Sequence, residues 1–168
     1  GMLVSDLKAK GKYDQKQRLF PNASGKLNLK NGFVKTPYYP NPITDINIVS
    51  KIDNQKGTYD GLSVMLKPAG FTFEGEPFLV EADLKNFDDL NYDIKAKGTL
   101  NISKIYKVFS QKGLDVDGFI KADLVLKGTQ SDAEKGNYSK LHNKGPLELR
   151  NINVETEYMP KSLLIKEV

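Results

Sequence analysis

The strongest constraint on this 168-residue chain is a period of two that recurs in short runs along its length. Leu27 and Leu29 alternate with Lys26, Asn28 and Lys30, and Ile46 and Ile48 with Asp45 and Asn47. Val64 and Leu66 alternate with Ser63 and Met65, Ile94 and Ala96 with Asp93, Lys95 and Lys97, and Leu124 and Leu126 with Asp123 and Lys127. Successive side chains of an extended strand point to opposite faces, so these runs make strands that are apolar on one side and wet on the other. Between them stand turn formers: Asn31-Gly32, Lys56-Gly57, Pro68-Ala69-Gly70, Gly75-Glu76-Pro77, Asp88-Asp89 and Asp117-Gly118. Connections of this kind suit hairpins and are too short for the crossovers that parallel strands need. The expected fold class is all-β, a mainly antiparallel, curved sheet or groove built from repeated β modules.

One segment breaks the period. From Ile102 to Lys112 the residues Ile102, Ile105, Tyr106, Val108 and Phe109 recur at helical spacing, with Asn101 or Ser103 placed to cap the start and Gly113 the end. This predicts one short amphipathic helix at about 102–112, too short to be stable alone and best used as a lid over one end of the sheet.

The chain also echoes itself. Ser24-Gly25-Lys26-Leu27-Asn28-Leu29-Lys30-Asn31, continuing to Val34, Thr36, Tyr38 and Pro40, is matched by Lys144-Gly145-Pro146-Leu147-Glu148-Leu149-Arg150-Asn151, continuing to Val154, Thr156, Tyr158 and Pro160, always 120 positions on. Asp6-Leu7 with Lys10-Gly11 is matched by Asp123-Leu124 with Lys127-Gly128, 117 positions on. Two consecutive strands that recur in order imply stacked sheet modules. The expected organisation is a single β-repeat segment over 1–168, with one unit of about 120 residues at about 25–144 between the end of a preceding unit and the start of a following one. Gly1-Met2 fits a tag remnant ahead of an internal start, in keeping with a piece of a longer protein.

Composition narrows the functions. With no cysteine the chain has no disulfide framework, thiolate zinc site or cysteine nucleophile. The net charge of +4 comes almost wholly from scattered lysines, the only arginines being Arg18 and Arg150, which argues against nucleic-acid recognition by guanidinium forks. The sole histidine, His142, lies in the polar stretch from Thr129 to Lys144 without a serine elbow or an orienting carboxylate, so it reads as a solvated loop residue. Asp115-Val116-Asp117-Gly118 opens like a calcium loop, but Leu126 stands where the bidentate glutamate is needed. Glu74 and Glu76 straddle Gly75 as a charged hairpin tip. No catalytic residue, metal site or cofactor is expected.

The order of elements resembles a known family. Lys26 to Asn31, Tyr59-Asp60-Gly61-Leu62-Ser63-Val64-Met65-Leu66, Phe71-Thr72-Phe73-Glu74-Gly75, Lys85-Asn86-Phe87, Gly98-Thr99-Leu100-Asn101-Ile102 before the helix, and Gly118 to Gly128 together resemble the C-terminal repeat region of AsmA-family proteins. The resemblance implies a non-enzymatic envelope protein of a Gram-negative bacterium, of Bacteroidetes type, with its β body in the periplasm and an inner-membrane anchor helix ahead of this segment. It also implies a role in outer-membrane biogenesis and lipid homeostasis or transport, with phospholipid or other acyl chains as partners, possible contacts to other envelope proteins, and no nucleic acid. The lipid-facing candidates are the inward positions of the strands, namely Leu27, Leu29, Ile46, Ile48, Val64, Leu66, Phe71, Phe73, Ile94, Leu124, Leu126, Leu147 and Leu149. The competing reading is a β-sandwich binding module for cell-surface glycan or protein, using Tyr38, Tyr39 and the turn tips. The two readings differ in whether a second sheet seals the apolar face.

Overall fold

Strands in this molecule follow one another in space in the order in which they occur in the chain. In the computed structural model, which describes residues 1–14, 16–109, 114–156 and 163–167, they are β1 (Met2–Lys10), β2 (Asn22–Val34), β3 (Ile43–Asn54), β4 (Ser63–Phe73), β5 (Glu76–Lys85), β6 (Asn91–Asn101), β7 (Leu114–Thr129), β8 (Leu147–Thr156) and β9 (Leu163–Glu167). Each pairs antiparallel with the next in one nine-stranded sheet whose two outer strands, β1 and β9, do not pair with each other. The expected mainly antiparallel β class is the fold observed. Every named strand lies in this one sheet, so among the described residues no second sheet covers it, and the sandwich architecture is not adopted.

Alternation survives from strand to strand because the register keeps like faces together. On the wet face, direct cross-strand partners are oppositely charged: Glu81 with Lys95, Asp123 with Lys97 and Asp93 with Lys127, at 3.9, 3.1 and 3.1 Å. Where a strand must bend, an extra residue enters. Asp45 takes a positive φ of 52° and lets both Ile43 and Ile46 face the apolar side, opposite Val34 and Gly32. The β4–β5 turn consists of Glu74 and Gly75, both at positive φ (52° and 83°), the geometry that matches hairpin twist.

The helix α1 runs over Ile102–Phe109, and the expected continuation through Lys112 to a Gly113 cap lies outside the described residues. Asn101 is the cap, its Oδ1 accepting from the Lys104 N–H at 3.0 Å, whereas Ser103 is turned to β7, where its Oγ accepts from the Gly118 N–H at 3.2 Å. The polar stretch expected as loop from Thr129 to Lys144 contains structure. A five-residue helix, α2 (Gln130–Glu134), is capped by the Thr129 hydroxyl accepting from the Asp132 N–H at 3.3 Å, and a 3₁₀ turn follows at Tyr138–Lys140. His142 sits on the exposed side of this segment, its N–H bonded to the Lys127 carbonyl. The five-residue helix escaped the periodicity reading because it buries no residue and leaves no apolar stripe.

The self-echo has a structural counterpart in the register. Leu3 pairs with Leu29 and Ser5 with Leu27; displaced by 117 and 120, these become Ile120 with Leu149 and Ala122 with Leu147, which are also pairs. Asn31 and Asn151, 120 apart, share a positive φ of 49° and 50°. Val34 pairs with Ile43, and Val154 with Leu163, again 120 on in both strands. Gly25 and Gly145 serve one purpose: a Cβ on either would lie 2.4 or 2.0 Å from the carbonyl oxygen of Asp6 or Asp123 and 2.8 or 2.9 Å from the Cα of Leu7 or Leu124. Both hairpins therefore need glycine where the strands come closest. The echo at Tyr158 and Pro160 lies outside the described residues.

Candidate apolar binding face

Following partners across the sheet reveals continuous rows. One runs Leu3, Leu29, Ile48, Ala69, Val80, Ala96, Leu124; the next Ser5, Leu27, Ser50, Leu66, Ala82, Ile94, Leu126; a third Leu7, Gly25, Ile52, Val64, Leu84, Tyr92, Gly128. Direct partners in an antiparallel pair share a face. A further row, Phe71, Phe78, Gly98, Ala122 and Leu147, extends the same side, as does Leu100, Ile120 and Leu149. All thirteen lipid-facing candidates thus lie on one face. The face also contains Leu3, Leu7, Ile43, Ile52, Val80 and Leu84, which the candidate set left out; Ile52 stands four places from Ile48, and Ile43 needed the Asp45 bulge to be seen.

What covers the face decides which of these residues are accessible. At one end α1 lies across it: Ile43, Phe73 and Val108 are 3%, 4% and 0% exposed, with Val34, Tyr39, Ile46, Phe71 and Ile105 packed around them. Phe73 is therefore a sealed core residue and is not free to meet a ligand; Leu124, in the first row and outside this cluster, is also low in exposure at 8%. At the other end the loops are stitched in sequence. The Phe20 N–H bonds the Gly57 carbonyl, Asn86 and Phe87 bond Leu62 and Tyr59, and Ser131 donates to Asp89 at 2.8 Å. Leu141 folds over Gly128, its Cδ2 reaching 2.4 Å from where a Cβ would stand there, close to the Tyr92 ring. Between these ends the middle rows are largely but incompletely buried by their own neighbours, with Ala82 and Leu124 down to 5% and 8% exposed, whereas Leu3 and Leu7 on β1 are 62% and 60% exposed.

Two numbers show how thin the cover is. The chain exposes 11353 Å², whereas a compact monomer of 18.8 kDa exposes roughly 8,300 Å² by surface–mass scaling. Among the described residues nine apolar side chains are buried, and three of those are alanines. This is an open surface with a small core at one end. A hollow of about 480 Å³ near the β4–β5 hairpin is lined from the charged side by Asn47, Thr72 and Leu79 and also touches Phe71 and Phe78 of the apolar face.

The lid is held by charge. Lys104 on α1 donates to Glu74 Oε2 at 2.7 Å, while Tyr39 and Asn41 donate to its Oε1 at 2.7 and 3.0 Å. These donors, Lys104 first, bring the Glu74 carboxyl down to about 2. The same contacts push Lys104 and Tyr39 upward. Thr36 adds a bond to the Val108 carbonyl at 2.6 Å. Glu74 is thus an anchor for α1, a role hidden in the sequence because its partner lies 30 positions away. Tyr38 stays 64% exposed beside it, and its neighbour Tyr39 is committed to Glu74.

No cluster of three or more potential metal-ligating side chains occurs among the described residues, and no helix among them is long and apolar enough to cross a membrane. Searches of family models, curated proteins and solved structures give no match to this chain.

Proposed function

We propose that this chain is a lipid-contacting segment of a Gram-negative envelope protein similar to AsmA, working without catalysis in the periplasm, in outer-membrane lipid homeostasis or transport. The observation that supports this reading is the continuous apolar face of a single sheet, over whose middle rows no second sheet lies among the described residues. Seven strands in a row, at about 4.8 Å spacing, give a contour of roughly 29 Å. One leaflet of hydrocarbon is about 15 Å deep, so an acyl chain laid along a row stays in apolar contact throughout. Each methylene removed from water contributes about 0.8 kcal/mol, which makes affinity collective and leaves no single residue indispensable for polar recognition. Ser5 and Ser50 within the central row add hydroxyls without breaking it.

Native mass spectrometry of the chain purified from a bacterial host, with lipid extraction alongside, tests the reading. Near-stoichiometric phospholipid is expected, and Leu66→Asp, in the uncovered middle, should remove it while circular dichroism still reports the β fold. A folded, lipid-free wild type, or unchanged lipid in the variant, would overturn the reading.

A further inference from the structure

The register equivalence bears on a strand edge that is unpaired among the described residues. Strand β7 corresponds to β1, and β8 to β2, residue for residue in their pairing. They differ on one side only: β7 is covered on its other edge by β6, whereas all nine residues of β1 are exposed and its outer edge is unpaired among the described residues. An open row of backbone N–H and C=O groups is a template for a further strand. We propose that the outer edge of β1 is a docking site for an antiparallel strand of β6 type, presented by another six-strand module, in the register that β6 takes against β7.

That register can be written down. Gly98 faces Ala122, Ala96 faces Leu124 and Lys97 faces Asp123; moved back by 117, the incoming strand sets a glycine against Ser5, an alanine against Leu7 and a lysine against Asp6. The charge fits. Asp123 holds Lys97 at 3.1 Å, and its counterpart Asp6 makes no ion pair among the described residues. The apolar side fits as well, since a glycine and an alanine at these positions continue the rows that begin at Leu3, Ser5 and Leu7. A second copy of this chain does not offer such a strand at either edge, because β6 is internal and β9 corresponds to β3. The assignment stands whether or not the face holds lipid.

The test uses the whole chain and a synthetic peptide with the sequence of residues 91–101. Amide exchange followed by NMR should show protection of the alternate β1 amides that point away from β2, with no change in β5. A peptide carrying Lys97→Glu should bind roughly two- to fivefold more weakly, the size of a cross-strand charge pair, and Asp6→Lys in the chain should restore it. No protection, or equal protection by a scrambled peptide, would overturn the proposal. So would concentration-dependent protection of the same amides without peptide, which would make a second copy the occupant.

Discussion

The apolar face has two regions built from the same residue types that end in different states. Beneath α1, Ile43 and Phe73 are almost wholly removed from water; on β1, Leu3 and Leu7 of the same face are more than half exposed. Strand pairing and alternation are alike in both places. The difference is a third layer: eight residues of helix, placed by Asn101 and held by Glu74, convert a sheet surface into a core. A sheet alone buries most of its larger side chains only in part, and removing ones such as Phe73 wholly from water takes something laid on top.

The largest effect that can break this comparison is a cavity. Phe73→Ala under the helix should cost about 3–5 kcal/mol, as expected for a buried aromatic truncated in a packed site. Leu66→Ala, on the same strand and face in the uncovered middle, should cost about 1 kcal/mol, because only part of its surface leaves water on folding. Urea denaturation of the two variants side by side reads the difference. Equal costs would mean that the middle rows are as well packed as the covered end.

A second comparison sets the two halves of the echo against each other. Gly25→Ala and Gly145→Ala each force a Cβ to within 2.4 and 2.0 Å of a carbonyl oxygen on the neighbouring strand, so either should destabilise by about 1–3 kcal/mol. Gly145 also has a φ of 103°, which adds backbone strain on its side. Thermal melts of the two variants check this; a neutral result at either position would dissolve the structural equivalence of the two hairpins.

The sheet itself was legible because its information is local. Alternation fixes strands and faces, and turn formers fix antiparallel connection, so the thirteen apolar candidates fall on one face as their spacing requires. Exposure was not legible, since Phe73 and Leu66 alternate identically and differ only in what lies above them. The Asp45 bulge hid Ile43 by adding one residue to the period. Glu74 was hidden for another reason: a turn glutamate gives no local sign of a lysine 30 residues later. Long-range ion pairs leave no period.

The smallest effect concerns that anchor and depends on pH. Glu74 has its carboxyl lowered from 4.5 to about 2, chiefly by Lys104 and then by Tyr39. A group whose folded pKa is depressed adds stability above its unfolded value, and that stability is lost as pH falls from about 4.5 towards 2. The Lys104 side chain is 45% exposed and that of Glu74 24%, so solvent screening keeps the gain below about 1 kcal/mol. Glu74→Gln keeps the shape and removes the charge. It should be slightly less stable than the wild type at pH 7 and should converge with it by about pH 2, while amide exchange in α1 quickens at pH 7 and exchange in the β5 and β6 ladder stays unchanged. If the ladder quickened equally, Glu74 would be holding the sheet as a whole, and the covered and uncovered regions would be one cooperative unit.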